Sequence, residues 1–196
     1  CTRNTVRRAL SMLADEMFVQ PIHGKGVRVI WLKGETDMLG ALEEVESFGE
    51  FAKRNNAVAS TEVKSFEHLI CTEQLSRRLG FKVGEELIRV VRVRSLNGNA
   101  RQVDHGYFLE SIAKGLTPEI AAKSIYDYLE HKRGVKVMAS RRTVSVELAN
   151  DEDCSYLDLG KYNCVAVMES QSYTSDGILF EVTHARTHPE IFHYRV

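Results

Sequence analysis

The sequence has little that would support a metal centre, a disulfide framework or a membrane span. Its four cysteines (Cys1, Cys71, Cys154 and Cys164) are scattered and lack the Cys-x-x-Cys spacing of zinc and redox sites. Cysteines used in this way indicate reduced thiols in a cytoplasmic protein. No apolar run approaches transmembrane length and no signal peptide is visible, so a membrane protein is not expected.

The chain also lacks an excess of charge of either sign. Its net charge is -1, with 27% charged residues, so any surface for nucleic acid must be local. His184 and His188 would share a strand face, but no cluster of cysteine, histidine and carboxylate completes a metal site. Neither a metal nor another cofactor is predicted, because nucleotide-binding loops are missing as well. A length of 196 residues allows one medium domain plus a fragment, or two small domains.

The most informative stretch is residues 87–95 (LIRVVRVRS). It is rich in β-branched residues and runs into Asn97-Gly98, a strong hairpin signal, so it is predicted to be a strand. Arg92 and Arg94 then lie side by side on one face, and two guanidinium groups form a fork suited to a phosphate or carboxylate. The alternative is a solvated sheet face whose arginines pair with nearby acids, and this stretch alone does not choose between them.

Residues 1–31 have a different character. Val6, Leu10 and Leu13 form a helical apolar stripe, and two short strands follow around a Gly-Lys-Gly tip. A basic helix followed by such a hairpin is the layout of a winged helix-turn-helix, although an ordinary amphipathic helix and hairpin would share the pattern. The candidate DNA-contacting residues are Thr2, Arg3, Asn4, Thr5, Arg7 and Arg8 on the helix and Gly24, Lys25 and Gly26 at the tip.

Capping and turn signals divide the rest of the chain into elements. Residues 32–40 are polar and glycine-punctuated, which predicts a linker before a second module, residues 41–196. Helices are expected to begin at Ser47, Thr72, Thr117, Ser124 and Asn150, the last ending at Gly160. Strands are expected at residues 60–66, 87–95, 99–107, 135–148, 164–173, 178–187 and 191–196.

Two halves of this module share an order of elements. A helix, a Leu-Gly pair, a strand, a glycine turn and a second strand occur once before residue 110 and again after residue 150. This weak repeat places Asp104 and Glu181 at comparable points after their hairpin turns. Two related hairpins would then present one carboxylate each to a shared cavity.

A phosphorylated sugar requires two chemically different walls, and this chain can supply both. Arginines and helix N-terminal amides favour the phosphate, while carboxylates accept hydrogen bonds from sugar hydroxyls. Each residue also has a structural explanation, since the serines cap helices and the acids can pair with lysines. The candidate ligand-binding residues are Arg92, Arg94, Ser47, Ser124, Tyr126, Asp104 and Glu181.

Two segments resemble known families. The stretch RNTVRRALSMLADEMFVQPIHGKGVRV resembles the second half of a GntR-family DNA-binding domain, which normally has about two more helices upstream. The resemblance implies that the chain is a fragment and that operator binding belongs to the parent protein. Residues 41–196 resemble the UTRA effector-binding domain of HutC-type GntR regulators, through Arg92-x-Arg94, Asp104-x-x-Tyr107, Ser124-Ile125-Tyr126 and Phe180-Glu181.

The UTRA resemblance implies an α+β fold like that of chorismate lyase, with a mostly antiparallel sheet, flanking helices and homodimerisation. In sugar-phosphate-sensing members of this family the two arginines and the Ser-x-Tyr helix start hold the phosphate, and the two acids hold sugar hydroxyls. The sequence most resembles trehalose operon repressors, which respond to trehalose 6-phosphate. The expected function is therefore a bacterial transcriptional regulator, most often a repressor, that senses a phosphorylated sugar.

Three alternatives remain open. The effector could be another small anion, such as an amino-sugar phosphate or a carboxylate. The chain could be a lyase-like enzyme whose acids act as an acid/base pair, although no nucleophile–base signature is present. It could also be a DNA-binding scaffold without a ligand. A screen in which no metabolite raises the melting temperature would favour that alternative.

Overall fold

The computed structural model describes residues 2–15, 18–29, 39–40, 48–135 and 137–194, and for residues 39–40, 137–138 and 193–194 it describes the backbone alone. The chain divides into two compact units, residues 1–37 and residues 38–196. No helix in the described ranges has both the length and the apolar composition that crossing a bilayer needs.

The N-terminal unit consists of a helix and a hairpin. Helix α1 spans Arg3–Asp15, and strands β1 (Val19–Ile22) and β2 (Gly26–Val29) pair antiparallel. At the hairpin tip Gly24 and Gly26 have positive φ, which glycine adopts without a side-chain clash. The helix and hairpin that the sequence predicts are both present.

The C-terminal unit is built on a six-stranded antiparallel sheet. Its strands are β4 (Ala59–Ile70), β5 (Glu86–Leu96), β6 (Asn99–Leu109), β7 (Val137–Leu148), β8 (Cys164–Thr174) and β9 (Leu179–Thr187). Their order across the sheet is β4-β5-β6-β9-β8-β7. Asn97 and Gly98 both have positive φ and join β5 to β6, as the Asn-Gly signal predicts. A separate two-residue ladder pairs β3 (Leu39–Gly40) in parallel with β10 (His193–Tyr194).

Short helices flank this sheet. They are α2 (Phe48–Arg54), α3 (Glu73–Leu79), α4 (Pro118–Ala121), α5 (Ile125–Asp127), a π-helical turn (Tyr128–Lys132), α6 (Asp151–Tyr156) and a 3₁₀ turn (Pro189–Ile191). The predicted caps of α3 to α6 are present, since Thr72, Thr117, Ser124 and Asn150 each accept a hydrogen bond from a backbone amide three residues on. These bonds satisfy amides that have no partner within the helix.

Each face of the sheet packs against its own apolar layer. Ile88, Val90 and Phe108 belong to a buried cluster that includes Ile125 and Leu129 from the α5 region. On the alternate positions, Val91, Val103, Val165 and Val167 pack with Leu157 and Leu159, which follow α6. Because successive strand residues point to opposite faces, burial of both sets makes β5, β6 and β8 central strands.

The two halves of the sheet repeat each other. The first half runs β4-α3-β5-β6 and the second runs β7-α6-β8-β9, and the two meet where β6 pairs with β9. His105 lies opposite His184 at the centre of that pair. Counted from these histidines, Glu181 corresponds to Gln102, and Asp104 corresponds to Thr183. The predicted repeat of elements is present, but the predicted equivalence of Asp104 and Glu181 is displaced by two residues.

Two predicted elements differ from the structure. The helix that begins at Asn150 ends at Tyr156 rather than at Gly160, because Leu157 is extended and turns into the core with 3% exposure. The predicted closing strand 191–196 is instead a 3₁₀ turn followed by β10, and residues 195–196 lie outside the described residues. Pro189 opens that turn, as its fixed φ favours at a first helical position.

Candidate functional site

A cavity of about 470 Å³ lies on one face of the six-stranded sheet. Helices α2 and α5 and the 3₁₀ turn border it through Phe48, Tyr126 and Ile191. Six of the seven predicted ligand-binding residues line it, namely Arg92, Arg94, Asp104, Ser124, Tyr126 and Glu181. The seventh, Ser47, lies outside the described residues. The structure thus brings together side chains that are up to 89 positions apart in the chain (92 to 181).

Arg92 and Arg94 share Asp104 as their carboxylate partner. Asp104 Oδ2 accepts from Arg92 Nη2 at 2.5 Å and from Arg94 Nη2 and Nε at 2.7 and 3.2 Å. Arg92 and Asp104 face each other across the β5–β6 pair, and Arg94 lies two residues further along the same face. The arginine side chains are only 4% and 15% exposed, so this pairing is a buried one. A guanidinium pair held by one carboxylate is fixed in position before any ligand arrives.

The charges of this group do not cancel. Two guanidinium cations and one carboxylate leave one net positive charge among buried side chains. Burial alone would raise the pKa of Asp104, but the neighbouring Arg92 and Arg94 lower it to about 2, so the carboxylate is ionised at neutral pH. Burial, and next the adjacent Arg94, lowers the pKa of Arg92. Within the described part of the chain, Arg92 Nε is also a buried nitrogen with no hydrogen-bond partner. An anion in the cavity would relieve this imbalance.

Phe48 covers the arginines from the side of α2. Its ring centroid lies 5.2 Å from Arg94 Cζ, and its ring stacks on Phe51 with 6.2 Å between centroids. An aromatic face attracts a guanidinium and excludes water from it. Phe48 therefore limits the directions from which Arg94 can be reached.

The second carboxylate, Glu181, has a different environment. It is 2% exposed and accepts a hydrogen bond from the Tyr126 hydroxyl, which also lies 3.2 Å from Ser172 Oγ. Burial raises the pKa of Glu181, against the opposing effect of its bonds to Tyr126 and Ser172. Burial likewise raises the pKa of Tyr126, and the Glu181 charge adds to that effect. This acid is thus held by neutral hydroxyl groups rather than by a cation.

Ser124 has the capping role that the sequence predicts for it. Its Oγ accepts from the Asp127 amide at 3.2 Å and begins α5, and the residue lines the cavity beside Tyr126. The start of α5 therefore borders the cavity. The three-residue length of α5 means that this contribution comes from local hydrogen bonds and not from a helix dipole.

One interpretation drawn from the sequence needs correction. The sequence predicts that Asp104 joins Glu181 on a sugar-binding wall, facing the arginines. Asp104 instead lies on the arginine side and is bonded to both guanidinium groups, because its strand register places it directly opposite Arg92. Its Oδ2 atom is thereby committed to positioning the arginines.

Several cavity residues are not among those that the sequence predicts. Each half of the repeated sheet contributes a chemically different set. The arginine half consists of Arg92, Arg94, Gln102 and Asp104; the hydroxyl half consists of Ser140, Arg142, Ser170, Glu181, Thr183 and Thr187. The alternation of Glu181, Thr183 and Thr187 along one strand could have indicated a polar inner face. Ser140 and Ser170 carry no such signal, because a serine on a strand is common at any exposed position.

The predicted DNA-contacting residues lie together in the N-terminal unit. Thr2 and the polar residues of α1, namely Arg3, Asn4, Thr5, Arg7 and Arg8, are exposed, as are Gly24, Lys25 and Gly26 at the hairpin tip. The Thr2 hydroxyl accepts from the Thr5 amide at 3.3 Å and so begins the helix. This exposure leaves three arginines and one lysine available to a partner of opposite charge.

Comparison with known proteins identifies a matching family and similar regulators. Residues 54–193 match the UTRA domain family. The chain is 30% identical over 193 residues to the HTH-type transcriptional regulator TreR of Bacillus subtilis, covering 98% of this chain and 80% of TreR. It is 25% identical over 186 residues to the HTH-type transcriptional repressor NagR of the same organism, covering 95% of this chain and 74% of NagR.

A solved structure agrees with this assignment. The effector binding domain of the Bacillus subtilis trehalose repressor superposes with a TM-score of 0.64 at 27% identity, covering 70% of this chain and 95% of that domain. The family match spans well over half of the chain. The chain therefore belongs to the UTRA domain family of GntR-type transcriptional regulators.

Proposed function

We propose that this chain is the sensing part of a cytoplasmic, dimeric transcriptional repressor of sugar metabolism, and that its cavity binds a phosphorylated sugar such as trehalose 6-phosphate. The observation that carries the proposal is the chemical difference between the two halves of one cavity. The arginine half has a net positive charge and suits a phosphate, whereas the hydroxyl half offers serine and threonine hydroxyls, the Glu181 carboxylate and the Arg142 guanidinium to a polyol. The similarity to the effector binding domain of the Bacillus subtilis trehalose repressor supports trehalose as the sugar.

The phosphate is expected to approach Arg94 and the Ser124 helix start. Arg94 is the more exposed of the two arginines, and both line the cavity with Ser124. Arg92 contributes mainly charge and the positioning of Asp104, since it is only 4% exposed. The sugar would then lie toward Glu181 and Thr183, where a hydroxyl can donate to a carboxylate oxygen.

Calorimetric titration of trehalose 6-phosphate into wild-type protein and an Arg94→Gln variant tests this assignment. We expect Arg94→Gln to weaken binding by about tenfold or more, because a charge-assisted hydrogen bond contributes roughly 1.5–3 kcal/mol. Arg89→Gln is the matched control, since Arg89 lies on the same strand but faces the other side and pairs with Glu67 at 3.2 Å. Undiminished affinity in Arg94→Gln would contradict the phosphate assignment.

The identity of the bound sugar can be tested by the same calorimetric titration. Unphosphorylated trehalose should bind far more weakly than its 6-phosphate, and inorganic phosphate should bind weakly but compete. An amino-sugar phosphate is the second candidate effector, because its phosphate would suit the same arginine half. If the protein prefers that compound to trehalose 6-phosphate, the assignment of the phosphate to the arginine half stands and the identity of the sugar changes.

The geometry does not favour an enzyme. Asp104, with a pKa of about 2, has too little proton affinity at neutral pH for a general base. Glu181 is bonded to the Tyr126 and Ser172 hydroxyls, which hold its carboxylate in place. Turnover of phosphosugars or chorismate by purified protein would overturn this view.

We further propose that α1 enters the major groove of operator DNA and that the β1–β2 tip contacts the adjacent backbone, as in a winged helix-turn-helix. The exposed Arg3, Arg7, Arg8 and Lys25 support this role, because phosphate contacts require accessible cations. Effector binding can alter operator affinity only if it binds two arrangements of the regulator unequally. The β3–β10 ladder offers a route for that effect, since it joins residues 39–40 to the segment that follows Ile191 and Phe192 of the cavity.

A further inference from the structure

The Asp104-x-x-Tyr107 motif supplies side chains to both faces of the sheet. Residues three apart on a strand lie on opposite faces, so Tyr107 faces away from the cavity that contains Asp104. On that opposite face lies a second cavity of about 510 Å³, bordered by α3, α6 and the central strands. Sites for small molecules have volumes of this order, so this face of the sheet can hold a ligand of its own.

The Tyr107 hydroxyl has a proton without an acceptor. Its oxygen accepts a hydrogen bond from Arg78 Nη2 at 2.7 Å, and Arg78 Cζ lies 5.5 Å from the centre of the Tyr107 ring. A guanidinium can only donate, so the phenol must donate its own proton elsewhere. None of the residues that the structure describes accepts that proton. Tyr107 is 7% exposed and lines the second cavity, so an oxygen atom of a ligand there would complete its hydrogen bonding.

The charges around the second cavity indicate which ligand would fit. Two of its four lining arginines already have acidic partners, namely Arg89 with Glu67 and Arg186 with Glu147 and Asp153. In the described part of the chain the other two, Arg78 and Arg141, form no ion pair, and the lining acids are Glu152 and Glu169. These two cations and two acids sum to zero. A phosphate ester, with a charge of about −2, therefore fits this lining less well than a ligand that carries one charge of each sign.

A positive and a negative group lie at neighbouring points of this cavity. Tyr107 and His105 are two apart on β6, which places them on one face and about 7 Å apart along the strand. His105 Nε2 lies 2.9 Å from Glu152 Oε2, and the Glu152 side chain is 37% exposed. A carboxylate beside Arg78 and Tyr107 and an ammonium beside Glu152 are the two groups that an α-amino acid carries on a single carbon.

We propose that the second cavity binds a free amino acid as its zwitterion. Its carboxylate accepts from the Tyr107 hydroxyl and the Arg78 guanidinium, and its ammonium group donates to Glu152. This site is additional to the sugar-phosphate site and does not depend on it. Thr183 lines both cavities, so the two ligands would contact adjoining parts of one sheet.

Heteronuclear NMR of the whole chain, titrated separately with each of the common L-amino acids, tests the proposal. At least one of them should shift the amide signals of residues 78, 105 and 107. For that amino acid, Tyr107→Phe and Arg78→Gln should each raise the Kd by about tenfold or more, because each removes a hydrogen bond to a charged group. If no amino acid binds, or if either variant keeps the wild-type Kd, the proposal is wrong.

Two matched controls come from residues outside both cavities. Tyr128→Phe removes a hydroxyl that donates to the Lys114 carbonyl oxygen at 2.7 Å. Arg77→Gln removes the cation next to Arg78 on α3, where it pairs with Glu73 at 3.4 Å. Both should leave the Kd for the amino acid unchanged, and an increase equal to that of Tyr107→Phe would contradict a specific site.

The requirement for both charges is tested with derivatives of the amino acid that binds. Its methyl ester lacks the carboxylate charge and its N-acetyl form lacks the ammonium, so each should bind about tenfold more weakly or worse. Equal binding of either derivative would overturn the zwitterion assignment.

The two sites can be separated by substitution. Tyr107→Phe should keep the calorimetric affinity for trehalose 6-phosphate, and Arg94→Gln should keep the affinity for the amino acid. Loss of amino-acid binding in Arg94→Gln would place that ligand in the first cavity and refute the inference. Failure of trehalose 6-phosphate to bind would contradict the proposed function alone.

Discussion

At the scale of single residues, Asp104 holds the two arginines of the cavity in place. It is 2% exposed, and its Oδ2 accepts three hydrogen bonds from two guanidinium groups. Removing the charge leaves Arg92 and Arg94 as adjacent buried cations, which repel each other and have lost their carboxylate partner. Asp104 therefore matters both for stability and for the orientation of the arginines toward an anion.

Asp104→Asn should lower the free energy of unfolding by about 3–5 kcal/mol at neutral pH. The pKa of Asp104 is about 2 in the folded chain against an ordinary 3.8, so its contribution is complete above that ordinary value and is lost as pH falls toward 2. Urea titrations at several pH values should therefore show the difference between wild type and variant shrinking below about pH 4.

The matched control is Glu67→Gln, which breaks the Arg89–Glu67 pair on the other face of the sheet. Glu67 is 52% exposed, so the loss should be under about 1 kcal/mol. Equal losses in Asp104→Asn and Glu67→Gln would argue against a special role for the buried group.

At the scale of secondary structure, α6 shows how a very short helix is stabilised. Its six residues are too few to be helical alone. A reciprocal capping box joins Asn150 and Asp153, and both oxygens of Asp153 also accept from Arg186 Nε at 2.9 and 3.0 Å. Arg186 further bonds Glu147 and the Leu148 carbonyl oxygen, which ties α6 to β7.

Two substitutions should separate local capping from this tertiary link. Asn150→Ala removes one cap and should cost about 1 kcal/mol of unfolding free energy. Asp153→Ala removes the reciprocal cap and also the fully buried partner of Arg186, and should cost about 3 kcal/mol or more. Denaturant titrations measure both, and a similar loss in the two variants would mean that Arg186 contributes little through Asp153.

At the scale of the whole molecule, the question is how the cavity can influence the rest of the chain. Ile191 is 8% exposed, lines the cavity and packs with Ala52 and Leu96. The chain then continues directly into β10, whose backbone pairs with β3. A ligand that displaces Ile191 would thus act on the backbone hydrogen bonds of residues 39–40.

Hydrogen exchange at residues 39–40 and 193–194 tests this route. Saturating trehalose 6-phosphate should change the exchange rates of these amides in wild-type protein, because ladder opening depends on the packing beside it. Ile191→Ala should keep most of the affinity for the sugar and lose most of the change in exchange. If the wild-type rates stay constant on binding, the signal does not pass through the β3–β10 ladder.

Local sequence signals determined much of this protein, because they depend on neighbouring residues. Thr72, Gly80, Asn97-Gly98 and Ser124 set the ends of their elements through hydrogen bonds or backbone angles within four residues. Alternation along β5 likewise places Arg92 and Arg94 on one face, because side chains two apart on a strand point the same way whatever the strand pairs with.

The tertiary structure alone decided which partner each of these side chains meets. Strand register put Asp104 opposite Arg92, and the folding of α5 against β9 put the Tyr126 hydroxyl on Glu181, 55 residues away. The order β4-β5-β6-β9-β8-β7 then joined the arginine half to the hydroxyl half. Such contacts follow from the packing and pairing of distant segments, whose energies no local pattern records.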